Sequence, residues 1–146
     1  MDEKSKKEIQ AFKALKKGKH LEAENLLRQI VSSGTNNYFV YGNLAVLSGK
    51  KGNINEMLEY LTHSTKLNPN YAEGHFNLGI IYLKKGDFDN AVHSFLNTIS
   101  IRPEDSNALN MLGVAFFKKG KIKSSISYYS KAIESVSYTH LRAHET

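Results

Sequence analysis

The chain has no cysteine and no tryptophan, only two prolines and only three arginines in 146 residues. Without a thiol there is no disulfide framework, no thiolate metal site and no cysteine nucleophile. No apolar run approaches the roughly 20 residues needed to span a bilayer. The opening stretch, Met1 to Glu8, alternates charge and has no apolar centre, so no secretory leader is expected there, and a cytoplasmic protein is the default. There is no Gly-rich phosphate loop, no His-Glu zinc motif and no nucleophile elbow. The serines are scattered and carboxylates are few, so no enzyme activity, cofactor or metal is expected within these residues. The length and 40% hydrophobic content indicate one soluble, mostly helical domain.

What the chain does have is a period. Lys-Lys-Gly occurs four times, with glycines at Gly18, Gly52, Gly86 and Gly120, each step 34 residues. Pro69 and Pro103 keep the same step, as do Leu44, Leu78 and Leu112. A fixed period of this length is the signature of a helix-turn-helix solenoid. The expected fold is all-α, a right-handed solenoid of antiparallel helix pairs whose concave surface binds something.

One unit runs from Ala72 to Asp105. Phe76, Leu78, Gly79, Ile81 and Tyr82 fall at helical spacing in its first half, and Phe88, Ala91, Val92, Phe95, Ile99 and Ile101 in its second. Gly86 suits the left-handed end of the first helix. Lys84 and Lys85 suit the negative end of its dipole. Asp87 is placed to cap the next helix. Asn53 takes that position one unit earlier, and Glu56 three residues on reads as a capping box. Pro69 and Pro103 close their units.

Ala11, Ala45, Gly79 and Gly113 share one repeat position, and Ala23, Met57, Ala91 and Ser125 another. Small side chains there let two helices cross closely. Met57 is the outlier, and local spreading is expected around it. Tyr82, Phe116, Leu27, Leu61, Phe95 and Tyr129 are expected to fill the space between units as solenoid core rather than to hold a cofactor.

On these residues the chain resembles the tetratricopeptide repeat family. Leu78-Gly79, Tyr82, Gly86, Ala91, Phe95 and Pro103 carry the pattern in 72–105. Leu44, Gly52, Leu61 and Pro69 carry it in 38–71, and Leu112-Gly113, Phe116, Gly120 and Ala132 in 106–135. The first unit, 4–37, is degenerate. Gln10 replaces the usual Leu and Thr35 the usual Pro, as expected of a terminal cap. The array is expected to cover 1–135.

The last unit breaks off inside its second helix. Residues 136–146 lack the repeat pattern and resemble the in-frame translation of a transposase adapter used in sequencing libraries. They are expected to be a non-native tail and are left out of the fold reading. His140 and His144, four apart, could share a helix face as metal ligands, but no third ligand is near. The other histidines fall at unrelated repeat positions. Ile122, Ile126, Tyr129 and Ile133 form a stripe expected to be exposed at a cut edge. Such a patch favours self-association.

The resemblance implies that first helices line the concave groove. The groove residues are then Asn43, Val46 and Lys50 in one unit, together with Phe39. The next unit supplies Phe76, Asn77, Ile80 and Lys84, beside Glu73 and Leu83. The third supplies Asn110, Val114, Phe117 and Lys118, beside Asn107 and Met111. Asparagine amides both donate to and accept from a peptide backbone. Asn43 and Asn77 resemble the asparagine ladder of some glycosyltransferase repeat arrays, which Met111 interrupts. The family's clamp for a C-terminal carboxylate is not expected, because Gly42, Phe76, Val46 and Glu73 stand where lysine or asparagine is required.

Net charge is +6, but eight of the twenty basic residues belong to the Lys-Lys-Gly triplets. Stacked units would align Lys16, Lys50, Lys84 and Lys118 into a basic row suited to an acidic partner. Nucleic acid is a weak third reading, since few arginines stand beside that row. The leading expectation is a non-catalytic protein-interaction scaffold that binds an extended peptide or partner segment. The alternative is the N-terminal recruiting region of a larger bacterial enzyme. Tyr41 to Gly79 looks like arrays that precede sulfotransferase or glycosyltransferase domains.

Overall fold

The computed structural model describes residues 1–145, except the side chains of 138–140, 144 and 145. Among them lie eight α-helices: α1 (Glu3–Lys16), α2 (His20–Ser32), α3 (Tyr38–Lys50), α4 (Ile54–Leu67), α5 (Ala72–Lys85), α6 (Phe88–Ile101), α7 (Ser106–Lys118) and α8 (Ile122–Glu145). The chain divides into two compact units, Met1–Pro69 and Asn70–Thr146, so α1–α4 belong to the first and α5–α8 to the second. In each unit successive helices pack as antiparallel pairs.

The turn chemistry repeats with the sequence. Gly18, Gly52, Gly86 and Gly120 have φ of +72°, +79°, +77° and +78°. This left-handed backbone lets the residue after each glycine donate back across the helix end. Lys19 N bonds Ala14 O, Asn53 N bonds Ser48 O, Asp87 N bonds Tyr82 O and Lys121 N bonds Phe116 O, at 2.8–2.9 Å. These bonds satisfy carbonyls that a helix end otherwise leaves open. Asp87 Oδ1 accepts from Asn90 N, and Asp105 Oδ1 from Ala108 N, so both residues cap as their side chains allow.

Glu56 departs from the expected capping box. Asn53 Oδ1 accepts from Glu56 N, but the Glu56 carboxylate does not return to Asn53 N, which already bonds Ser48 O. The carboxylate instead accepts from Arg28 at 2.7 Å and from the Ser48 hydroxyl at 2.6 Å. A charged donor is the stronger partner.

The core of the first unit is Ala11, Leu27, Ile30, Val40, Leu44 and Leu47. Each fully buried leucine stabilises by about 1.5–3 kcal/mol relative to an exposed one. Met57 does not spread its helix pair. An ideal Cβ on Gly49 would lie 2.7 Å from Met57 Sδ, so the methionine occupies the room that a side chain at 49 would fill. The positions corresponding to Gly49 are Leu15, Leu83 and Phe117, opposite Ala23, Ala91 and Ser125. Large and small have changed places between α3 and α4.

In the second unit Ala91, Val92, Phe95, Leu112 and Ala115 form the core. Phe95 does more than fill the space towards the next pair, as the sequence suggested. Its ring covers Gly79 of its own pair, where an added Cβ would stand 2.5 Å from Cε1. Tyr129 covers Gly113 in the same way, at 2.7 Å. Tyr129 therefore faces inward and is half-buried, unlike the rest of the α8 stripe. Its ring leaves Ile122, Ile126 and Ile133 exposed. The α8 backbone continues past Ser135 to Glu145 as one helix, with no proline or glycine to stop it.

Candidate functional site

The expected groove residues lie on α3, α5 and α7, the first helices of their pairs. On α3 of the first unit, Asn43 and Val46 are half-buried and Lys50 is exposed. The Asn43 amide donates to Phe39 O at 2.8 Å, so one of its protons is used inside its own helix. Phe39 is exposed, and its ring stacks on Tyr38 at 4.5 Å between centroids.

On α5 of the second unit, Phe76, Asn77 and Ile80 are half-buried and Lys84 is exposed. Phe76 meets Phe95 edge-on at 5.6 Å, and Phe76 and Ile80 both lean on the core cluster of that unit. Only their outer edges are open to a ligand. On α7 Val114 is half-buried, while Asn110, Phe117 and Lys118 are exposed. Phe117 is the most open aromatic of the set. Asn110 faces a cleft between α7 and α8.

A second cluster escaped the sequence reading. Glu24 is buried, pairs with Lys51 Nζ at 2.6 Å and meets Arg28 at 3.0 Å. Arg28 also bonds Glu56 and the Tyr60 hydroxyl. The cluster ties α2 to the end of α3 and the start of α4. The Lys51 ammonium, against the cost of burial, holds the Glu24 carboxyl below its ordinary value, and Arg28 adds to this. The Ser48 hydroxyl and then Arg28 hold Glu56 low. Burial pushes the Tyr60 phenol up. Three of these residues, Arg28, Glu56 and Tyr60, pair across 28 to 32 residues of sequence, where periodicity gives no signal.

The side chains of His140 and His144 lie outside the described residues. Among the described residues no group of three or more His, Asp or Glu is placed to hold a metal ion. No helix among them is long and apolar enough to cross a membrane.

Comparison with known proteins fits this repeating geometry. Residues 40–71 match one family model and residues 76–138 another, and both are described as tetratricopeptide repeat. The chain belongs to the tetratricopeptide repeat family. No curated protein matches it significantly. A crystal structure of MamA is similar at 25% identity and a TM-score of 0.82, over 89% of this chain and 76% of that one. MamA from Desulfovibrio magneticus RS-1 is similar at 20% identity and a TM-score of 0.80, over 92% of this chain and 77% of that one. YrrB, described as a TPR protein with an unusual peptide-binding site, is similar at 22% and 0.76, over 92% and 70%. The tetratricopeptide repeats thus form an all-α fold of the α-solenoid class, that of a protein-interaction scaffold.

Proposed function

We propose that this tetratricopeptide-repeat chain binds an extended peptide segment, acidic in character, on the outer faces of its first helices. One observation supports the reading. The same graded face recurs on three helices: Asn43, Val46 and Lys50 on α3, Asn77, Ile80 and Lys84 on α5, and Met111, Val114 and Lys118 on α7. The first two members are half-buried each time and the lysine is exposed. The spacing of three and four residues puts each trio on one helix face. The amide reads peptide backbone, the aliphatic side chain receives an apolar group, and the ammonium attracts a carboxylate. Met111 removes the amide from α7, where Asn110 stands beside it. YrrB, which shares the fold, is described as having a peptide-binding site.

The test is a displayed library of acidic and neutral twelve-residue peptides, followed by titration of the peptides retained. Asn43→Ala with Asn77→Ala should weaken binding to every selected peptide. Lys50→Glu, Lys84→Glu and Lys118→Glu should remove the preference for acidic ones. Selected peptides that bind the triple lysine variant and the wild type equally, at both low and high salt, would disprove the charge reading.

A further inference from the structure

We infer that a cleft between α1 and α2 binds an extended acidic segment of a partner protein. The cleft measures about 650 Å3 and has Gln10, Lys13, Lys17, Leu21, Asn25 and Gln29 in its walls. It holds none of the trios on α3, α5 and α7, so the inference does not rest on the function proposed above. The matching face one repeat on is that of α3 and α4, which packs on α2. There Gln10 and Lys13 are replaced by Leu44 and Leu47. Those leucines are 0% and 4% exposed and share a core cluster with Leu27 and Ile30 of α2. A helix of the repeating kind lays apolar side chains on such a face. Against Gln10 and Lys13 it would bury an amide and an ammonium group without partners. The chain's own residues thus oppose the ordinary packing of the array in this cleft, and its occupant must be polar.

The second hairpin also shows the charge of that occupant. Lys17 is the counterpart of Lys51, and Lys51 Nζ meets the Glu24 carboxylate of α2 at 2.6 Å. Where the matching face is covered, the covering helix brings a carboxylate to this lysine. On the first hairpin neither Lys13 nor Lys17 has an ion-pair partner among the described residues. Lys19, also in the walls, stands 3.9 Å from Glu22, with both side chains more than half exposed. Two ammonium groups in one cleft are left unmatched, and an acidic chain complements them. The net charge of +6 sets a second copy of this chain against the same face.

The amides give the chemical class. Gln10, Asn25 and Gln29 are exposed, and their side-chain amides have no hydrogen-bond partner among the described residues. Each amide both donates to and accepts from a peptide backbone. Leu21, 70% exposed, offers an apolar contact beside them. The walls hold no arginine and no aromatic side chain, so the bases of a nucleic acid have nothing to stack on. Lysines for carboxylates and amides for the backbone together fit an acidic peptide segment.

The probe is a twelve-residue peptide of alternating glutamate and serine, titrated into the isotope-labelled full chain and followed by NMR. The side-chain amide signals of Gln10, Asn25 and Gln29 should shift together and saturate. They should still do so in the variant Lys50→Gln, Lys84→Gln, Lys118→Gln, whose first-helix faces have lost their charge. Failure of the function proposed above would therefore leave these three signals moving. Lys13→Gln with Lys17→Gln should weaken the binding about five- to tenfold, the loss of two exposed charge contacts. Both lysines are exposed, so that variant keeps its fold. Lys84→Gln with Lys118→Gln has the same net charge and should leave the three signals as they are in the wild type. Equal weakening by the two double variants would reduce the effect to net charge and overturn the inference. Saturation without movement of the three amides would overturn it, as would equal binding of a glutamine–serine peptide. Equal affinity for inorganic triphosphate would assign the cleft to a free anion and overturn the partner reading. So would a dimer of the chain alone that Lys13→Gln with Lys17→Gln dissolves, since the cleft would then belong to a second copy.

Discussion

Met57 Sδ fills the place that a side chain on Gly49 would take, 2.7 Å from an ideal Cβ there. The two residues are eight apart, and the other helix pairs show the reverse arrangement, large at the first position and small at the second. Gly49→Leu should therefore destabilise the protein by about 1–3 kcal/mol through overpacking. Met57→Ala alone should cost about 2 kcal/mol or more through the void it leaves. The double variant restores the leucine–alanine pairing of α5 and α6. It should recover at least about 1 kcal/mol of coupling in urea titrations of the four proteins. Additive losses would show that the two positions do not share one volume.

Gly79 makes a similar prediction with a stiffer partner. A methyl at 79 would stand 2.5–2.7 Å from three ring carbons of Phe95, and a buried ring cannot fold aside as a methionine can. Gly79→Ala should lower stability by about 1–3 kcal/mol, although alanine is the better helix former by about 1 kcal/mol. Adding Phe95→Leu should return part of the loss, because Ala11 with Leu27 and Ala45 with Leu61 are the pairings used elsewhere in the chain. Thermal unfolding of the single and double variants provides the comparison.

The glycine of a turn behaves differently. Nothing lies within 4 Å of a Cβ built on Gly86, whose φ is +77°. Gly86→Ala should cost about 1–2 kcal/mol from the backbone alone, and Gly86→Asn less, since asparagine visits that region more readily. Equal losses in urea would point to a steric contact instead.

Acid should weaken the first unit. Glu24 and Glu56 are held below the ordinary 4.5, so their contribution is present above that value and fades as pH falls through the lowered folded values. Glu24→Gln should reduce the melting temperature at about pH 7. Its curve should converge with the wild type only once pH has fallen below the lowered folded value, where both chains carry a neutral group. Glu24 is nearly enclosed, whereas Arg28 is half-buried and Lys51 exposed, so added salt should reduce the difference only in part.

Much of the fold could be read from single positions. A glycine that must turn left-handed, an Asp87 that can cap and a buried Leu44 or Leu112 each reveal themselves within one repeat. What escaped needed two positions at once. Met57 is an outlier at its own position and fits only beside Gly49, which lacks the side chain that Leu15, Leu83 and Phe117 carry at the matching positions. Phe95 and Gly79 each belong to the repeat pattern, but their contact depends on both positions at once. Arg28 with Glu56 was beyond periodicity altogether, because neither residue recurs as a pair in the other units. The spacing of Asn43, Val46 and Lys50, and of their counterparts, places each trio on one face of its helix. How far Phe76 and Ile80 lean into the core depends on neighbours that the pattern leaves unspecified.

The fit of Phe95 to Gly79, and of Met57 to Gly49, also bears on how such an array can grow. The Lys-Lys-Gly turns are the most alike stretches of its repeats, and so the easiest places for one copy to recombine with another. An exchange there would join α3 to α6, setting Phe95 against Ala45 and Ala91 against Gly49. That one graft would bring a collision at the first crossing and a hole at the second. Exchanges at the segments holding Pro69 and Pro103 keep each pair whole. A hairpin exchanged whole keeps its fit and a single helix does not, so the hairpin, rather than the helix, is the interchangeable part.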